Sequence, residues 1–315
     1  MNRAAMRFWP ARQPKALATS GSGGEELFDE AFQKRLEYLA LVSRRVFAGR
    51  TRAEQRSRKA GAGVEFADYR RYYPGDDYRQ IDWNVYGRID RLVLRLYEQE
   101  EDLSVYLLLD CSGSMAFGSP RKLDYGKQIA AALAYVALNH LDRVSVSALA
   151  DAVTARMPPT RGRHRIFPIF DFLRPLQASG STRLADAVGT FVAQNKRRGV
   201  AVLISDLYDP AGFEAALDRL RYARFEPHVV HLVDPREGVP SARGDVELID
   251  AETGERRQAT LTPRLLERYA QAYRAHQERV ASACVQKQVG LFALDVRTPV
   301  ADAMLHLLRR GGLVT

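Results

Sequence analysis

From residue 103 onward, apolar positions alternate between two rhythms, short dense runs and helical three- and four-residue steps. Residues 103–109 (LSVYLLL) form a near-continuous apolar run of the kind a strand covered on both faces shows. A helical pattern over 122–141 follows, and 143–150 (RVSVSALA) then alternates like a strand. Only Asp151 separates that strand from 152–157. A parallel crossover needs about a dozen residues, so these two strands are expected to form an antiparallel hairpin. Further helices are predicted around 166–173, 184–195, 212–222, 263–285 and 300–310, and strands at 200–204, 227–233 and 291–296. An insertion interrupts this alternation: 245–250 and 256–261, joined through Glu252-Thr253-Gly254-Glu255, read as a polar β-hairpin. The expectation is a doubly wound α/β domain with a mostly parallel six-stranded sheet. If strands two and three form an edge hairpin beyond the first, the fourth pairs on the first strand's other side, and the order becomes 3-2-1-4-5-6.

The leading third is different. Residues 1–24 are rich in Gly, Ser, Ala and Pro, with basic and no acidic side chains, and are expected to be a flexible basic tail. Leu27, Phe28, Phe32, Leu36, Leu39, Ala40 and Val46 fall at helical spacing and predict an amphipathic helix over 25–46. Between 50 and 102, β-rich aromatic segments at 64–73 and 92–97 flank the turn Pro74-Gly75-Asp76-Asp77. The expected organisation is a tail at 1–24, a helix plus small β-containing unit at 25–102, and the α/β domain at 103–315, its hairpin inserted at about 244–262.

Composition narrows the function classes. In 315 residues, 46% are hydrophobic and 27% charged, ordinary globular usage that argues against a disordered or fibrous chain. Two cysteines, Cys111 and Cys284, fit a reducing compartment and exclude a multi-cysteine zinc site. The longest uncharged apolar stretch, 129–138, is half the ~20 residues a membrane helix needs, so a cytoplasmic protein without a span is expected. The net charge of +9 is concentrated at the start, where residues 1–63 hold 13 basic and 6 acidic residues. Nucleic-acid binding through 34–59 is one reading of that charge; a solvated helix face is preferred, because no aromatic or glycine-spaced motif interleaves it.

The chemistry gathers at three places. The first buried strand runs into Asp110-Cys111-Ser112-Gly113-Ser114, which puts oxygen-bearing side chains at alternate positions of a turn leaving the sheet's carboxyl edge. Taken alone, such a run also suits ordinary turn capping. Thr182 lies on a loop before the 184 helix, and Asp206 ends the fourth strand. With the expected order, Asp110 and Asp206 terminate the two strands at which the winding reverses, where ligands bind in such sheets. Carboxylates and hydroxyls converging there make a hard, all-oxygen environment suited to Mg²⁺, with Mn²⁺ possible.

D-x-S-G-S, a distant Thr and a later strand-terminal Asp resemble the metal-ion-dependent adhesion site of von Willebrand factor A domains. Upstream, Glu65-Phe66-x-x-Tyr69-Arg70-x-Tyr72-Tyr73-Pro74-Gly75-Asp76-Asp77-x-Arg79-x-Ile81-Asp82-Trp83 resembles the signature of the bacterial "domain of unknown function fifty-eight" family. Together these resemblances cover roughly residues 40–311. They imply a von Willebrand A-like domain preceded by a small family-specific unit, acting with a MoxR-type AAA+ ATPase or its client. They also imply that Ser112, Ser114 and Thr182 ligate the metal directly or nearly so, with Asp110 and Asp206 acting mostly through water. Neutral hydroxyl ligands leave the cation electron-poor, so a partner's Asp or Glu is the expected visiting ligand. Many family members carry two amino-terminal membrane helices, and no such helix is read here.

The same residues admit competing readings. The chain has no P-loop and no G-x-S-x-G elbow. A metal-dependent phosphohydrolase built on Asp110 and Asp206-x-x-Asp209 is the enzymatic alternative, but Ser112 stands where such chemistry wants a second acid. Cys111 is expected to be a buried filler. Arg70, Arg71 and Arg79 are expected to pair with Asp76, Asp77 and Asp82 in a network orienting Trp83. The histidines show no zinc spacing, and His228 and His231 are expected in or beside the fifth strand.

Overall fold

The computed structural model describes residues 6–9, 27–54, 65–98, 103–240 and 242–310. The chain divides into two compact units, one of residues 1–46 with 103–315 and one of residues 47–102.

The larger unit is organised by β4 (Ser104–Asp110), in which every residue is buried. It pairs in parallel with β5 (Arg143–Leu149) on one side and β7 (Val200–Ser205) on the other. Beyond β7 lie β8 (Glu226–Val233) and β11 (Gly290–Asp295), both parallel. Beyond β5 lies β6 (Val153–Thr160), antiparallel as the one-residue link requires. The full order is β11-β8-β7-β4-β5-β6, the winding expected from the apolar runs.

Period-two alternation sends the leucines of β4 to opposite faces. Tyr106 and Leu108 join a cluster with Phe191 on α5 (Leu184–Gln194), Leu217 on α6 (Glu214–Tyr222) and Val280 on α8 (Pro263–Gln286). There the rings of Tyr106, Phe191 and Phe225 contact one another at centroid distances of 5.3–5.4 Å. The other face is covered by α3 (Lys122–Asn139), whose run of alanines lets it lie close. Gly126 marks the closest approach, because a Cβ there would stand 3.0 Å from Leu109 Cδ1 and 3.2 Å from Leu232 Cδ1. Leu107, Leu108 and Leu109 are wholly buried, each worth about 1.5–3 kcal/mol over an exposed position. This core makes the carboxyl ends of β4 and β7 a rigid platform.

Helix α1 (Glu30–Glu54) starts five residues later than its apolar spacing predicts, because Asp29 accepts the Phe32 amide at 2.6 Å and so caps it. The start of this helix, expected to group with the small β unit, clusters instead with the sheet. Phe28 stacks on Phe170 of α4 (Ile166–Leu173) at 4.6 Å, and Gln128 donates to the Leu27 carbonyl.

The insertion forms β9 (Gly244–Asp250) and β10 (Arg256–Leu261) as expected. Within the expected tail, β1 (Met6–Trp9) pairs antiparallel with β9, making a separate three-stranded sheet; the rest of 1–24 lies outside the described residues. A short helix, α7 (Pro235–Gly238), leaves β8, and α9 (Val300–Arg310) ends the described chain.

The smaller unit pairs β2 (Glu65–Arg71) antiparallel with β3 (Val93–Glu98), with α2 (Trp83–Ile89) between them. Asp82 caps α2 by accepting the amides of Asn84 and Val85. Of the ion pairs expected here, Arg70–Asp76 forms at 2.7 Å. Asp82 takes its charge from Arg95 at 2.6 Å rather than from the signature arginines, because Arg95 on β3 projects to the helix cap. Asp77 caps the 3₁₀ turn Tyr78–Gln80. Trp83 is mostly exposed and contacts Tyr86 edge to face, so the network does not bury it. Among the described residues no helix is long and apolar enough to cross a membrane.

Candidate functional site

β4 delivers Asp110 at its last position, fully buried. Both carboxylate oxygens are engaged: Oδ1 accepts the Ser112 amide at 2.9 Å and Oδ2 the Ser205 hydroxyl at 2.5 Å. After Cys111 the chain turns through a 3₁₀ segment, Gly113–Ala116. Ser112 stands at the cap position of that segment, yet its hydroxyl makes no capping bond. It meets the Ser114 hydroxyl at 3.1 Å, and Ser114 donates to Asp206 Oδ1 at 3.1 Å. A buried oxygen chain therefore runs from Ser112 through Ser114 to Asp206, spanning the ends of β4 and β7.

The Thr182 loop is stapled to the same edge. Gly113 donates to the Gly180 carbonyl at 3.0 Å, Ser179 to the Cys111 carbonyl at 2.8 Å, and Arg183 to the Ala150 carbonyl at 3.2 Å. Thr182 is buried within this loop, but its hydroxyl joins neither serine. Its hydroxyl and amide donate instead to the two carboxylate oxygens of Glu252, at the turn between β9 and β10. Gly113 is required at this approach: a Cβ there would fall 2.4 Å from the Ala251 carbonyl oxygen.

Several participants carry little signal in the local sequence. Lys122, the first residue of α3, is buried and donates to Asp206 Oδ2 at 2.5 Å and to Glu237 Oε1 at 2.7 Å. A cation at a helix amino terminus opposes the macrodipole, and that oddity was the only available clue. Glu237 sits on α7 and also accepts the Tyr208 hydroxyl at 3.4 Å. Tyr208 lies beneath the ammonium, 5.1 Å from ring centroid to Nζ, and stacks on His276.

Electrostatics separates the two strand-terminal aspartates. Burial, and then the neighbouring Asp206 charge, push Asp110 up from the ordinary carboxylate range. Burial also opposes ionisation of Asp206, yet the Lys122 ammonium outweighs it and holds Asp206 below that range. Burial raises Glu237 and Glu252 as well. Against burial, Asp206 and Glu237 hold Lys122 firmly protonated. Carboxylates thus outnumber the one ammonium at this edge. A small hard divalent cation would offset the cost that burial sets on ionising these carboxyl groups, with Ser112, Ser114 and Asp206 offering adjacent oxygen ligands. Among the described residues no group of three or more His, Cys, Asp or Glu side chains forms a metal cage, so such a site depends on its hydroxyls.

Other sequence candidates resolve differently. Asp209 accepts the Leu184 amide at 2.8 Å and the Ala211 amide at 2.8 Å, which fixes the start of α5. Burial pushes the Cys111 thiol up to about 12, leaving a poor nucleophile. His228 and His231 lie in β8, and burial pulls His231 down to about 4, so it is neutral near pH 7.

Residues 68–279 match the model of "Protein of unknown function DUF58". "Uncharacterized protein Rv1480" of Mycobacterium tuberculosis is 32% identical over 263 residues, spanning 80% of this chain and 82% of its own. "Uncharacterized protein MAV169" of Mycobacterium avium is 32% identical over 168 residues, 50% of this chain and 96% of its own. Among solved structures, BatB from Bacteroides thetaiotaomicron aligns at a TM-score of 0.40 and 14% identity, over 66% of this chain and 100% of that one. The SpRpn10 VWA domain aligns at 0.38 and 14% identity, over 68% and 100%.

Proposed function

Since the chain belongs to the DUF58 family, we propose that it is a protein-binding adaptor whose sheet-edge site takes a divalent cation and, through it, a partner's carboxylate. The observation that carries this reading is the buried chain Ser112 Oγ, Ser114 Oγ, Asp206 Oδ1, in which the Ser112 hydroxyl serves no cap. Mg²⁺, or Mn²⁺, would be held by Ser112, Ser114 and Thr182, with Asp110 and Asp206 orienting bound water and supplying charge. When bound, the cation supplies an electron-poor position that attracts an anionic side chain. The protein's own groups do the rest: Ser205 and the Ser112 amide fix Asp110, and Lys122 fixes Asp206. The partner suggested by the family resemblance is a MoxR-type AAA+ ATPase or its client.

A phosphohydrolase reading gains no support, because Asp209 is committed to the α5 start and Ser112 replaces the second acid. Calorimetric titration of the purified protein with Mg²⁺ and Mn²⁺ tests the proposal. Uptake is expected in the native protein and its loss in the Ser112→Ala/Ser114→Ala variant. A pull-down with Mg²⁺, with chelator and with Asp110→Ala then tests the docking step; identical partner sets in all three remove it.

A further inference from the structure

The polar hairpin between β9 and β10 lays its tip against Gly113 and Thr182, at the border of the oxygen cluster. The Ala251 carbonyl lies where any side chain on Gly113 would have to go, and Glu252 Cα is 3.2 Å from the same point. The tip is organised for this contact. Asp250 Oδ1 accepts the amides of both Glu252 and Thr253 at 2.9 Å, and the Asp250 amide donates across the turn to Glu255. Glu252 is half-buried while Thr253, Gly254 and Glu255 beside it are exposed. Its carboxylate takes both donors of Thr182, the one assigned hydroxyl that does not join the serine chain. Other acidic side chains of this hairpin are engaged within it: Glu255 with Arg257, and Asp245 with Thr260.

We propose that Glu252 is the site's resident carboxylate: it occupies the Thr182 side of the cation position from within the chain, so a partner's Asp or Glu must displace the β9–β10 tip to dock. This rests on the cation-site reading above and adds its regulation. The hairpin then acts as a tethered competitor. An intramolecular carboxylate competes at an effective concentration set by its anchorage, which a free acidic side chain must overcome. The anchorage is the separate sheet β1-β9-β10, whose hydrogen-bonded strands do not belong to the six-stranded sheet. The tip can therefore lift without breaking a strand pairing of the main sheet.

The test uses the full chain as native protein, Glu252→Gln and Glu252→Asp, with Mg²⁺ alone as the probe. Calorimetry reads affinity, and amide hydrogen exchange over 244–261 reads tip docking. In the native protein Mg²⁺ should slow exchange at the tip. Glu252→Gln should bind Mg²⁺ about tenfold more weakly and show no Mg²⁺-dependent protection, by analogy with the loss of a residue supporting a metal ligand. Glu252→Asp keeps the charge but shortens the arm, and should fall between the two. Mg²⁺ uptake with equal affinity in all three proteins and unchanged tip exchange would overturn the inference while leaving the cation site intact. No uptake by the native protein removes the site and the inference together.

Discussion

Asp82 and Asp206 are both buried with a cation against them, and they are built on opposite plans. Asp82, in the small unit, receives the Arg95 guanidinium, the Tyr69 hydroxyl and the amides of Asn84 and Val85. One carboxylate is there saturated by fixed protein donors, and nothing further is asked of it. At the carboxyl edge of the main sheet, Asp206 shares the single Lys122 ammonium with Glu237, while Asp110 and Glu252 rely on neutral hydroxyl and amide donors. The lesson is that bond count alone does not distinguish scaffold from site. A carboxylate matched by fixed donors marks a joint; on the proposed reading, the carboxyl groups left with one shared ammonium mark the place for a cation from outside.

The sharpest way to break this comparison is to remove each cation. Lys122→Met leaves buried Asp206 and half-buried Glu237 without a counter-charge and should cost about 3–5 kcal/mol in urea denaturation. Millimolar Mg²⁺ should recover a substantial part of that loss. Arg95→Met should destabilise the small unit with no Mg²⁺ rescue. Equal rescue of both variants, or of neither, would erase the distinction.

A smaller effect separates the capping aspartate from the charged cluster beside it. Asp209→Ala should cost about 1 kcal/mol through the lost support of the α5 start, with Mg²⁺ uptake unchanged by calorimetry. A large drop in uptake would return Asp209 to the site.

The smallest effect concerns acid. The Arg95 hydrogen bond, with Tyr69 and the two amides, outweighs burial and holds the Asp82 carboxyl well below the ordinary range. Over that window the folded unit binds fewer protons than the unfolded chain, so the stabilisation is complete above pH about 4 and drains away as pH falls toward the lowered value. Fluorescence of Trp83, in a Trp9→Phe background, should report this acid limb, and Asp82→Asn should flatten it. A limb that persists unchanged in Asp82→Asn assigns the titration elsewhere.

Much of this was legible in advance, for physical reasons. Apolar runs such as 103–109 declare a doubly covered strand, and the single residue Asp151 dictates an antiparallel edge, so the strand order followed from burial and chain length. Asp110, Ser112, Ser114 and Asp206 were legible because strand ends and period-two spacing locate them. Lys122 and Glu252 were not. Lys122 meets Asp206 across 84 positions and Glu237 across 115, and Glu252 reaches Thr182 across 70. Such pairings leave no periodic trace, and a glutamate in a polar hairpin looks like any solvated turn residue. Arg95 is illegible for the same reason, since its partner Asp82 lies on another element.

The ammonium at the head of α3 has a last consequence. Proteins whose acidic pockets are neutralised only by a bound ion tend to come apart when that ion is withdrawn. Here a lysine already stands guard among the acids, so the chain can mature in ion-poor surroundings and wait. On the proposed reading, loading is then an event in the working life of a finished molecule, able to carry information because survival does not depend on it.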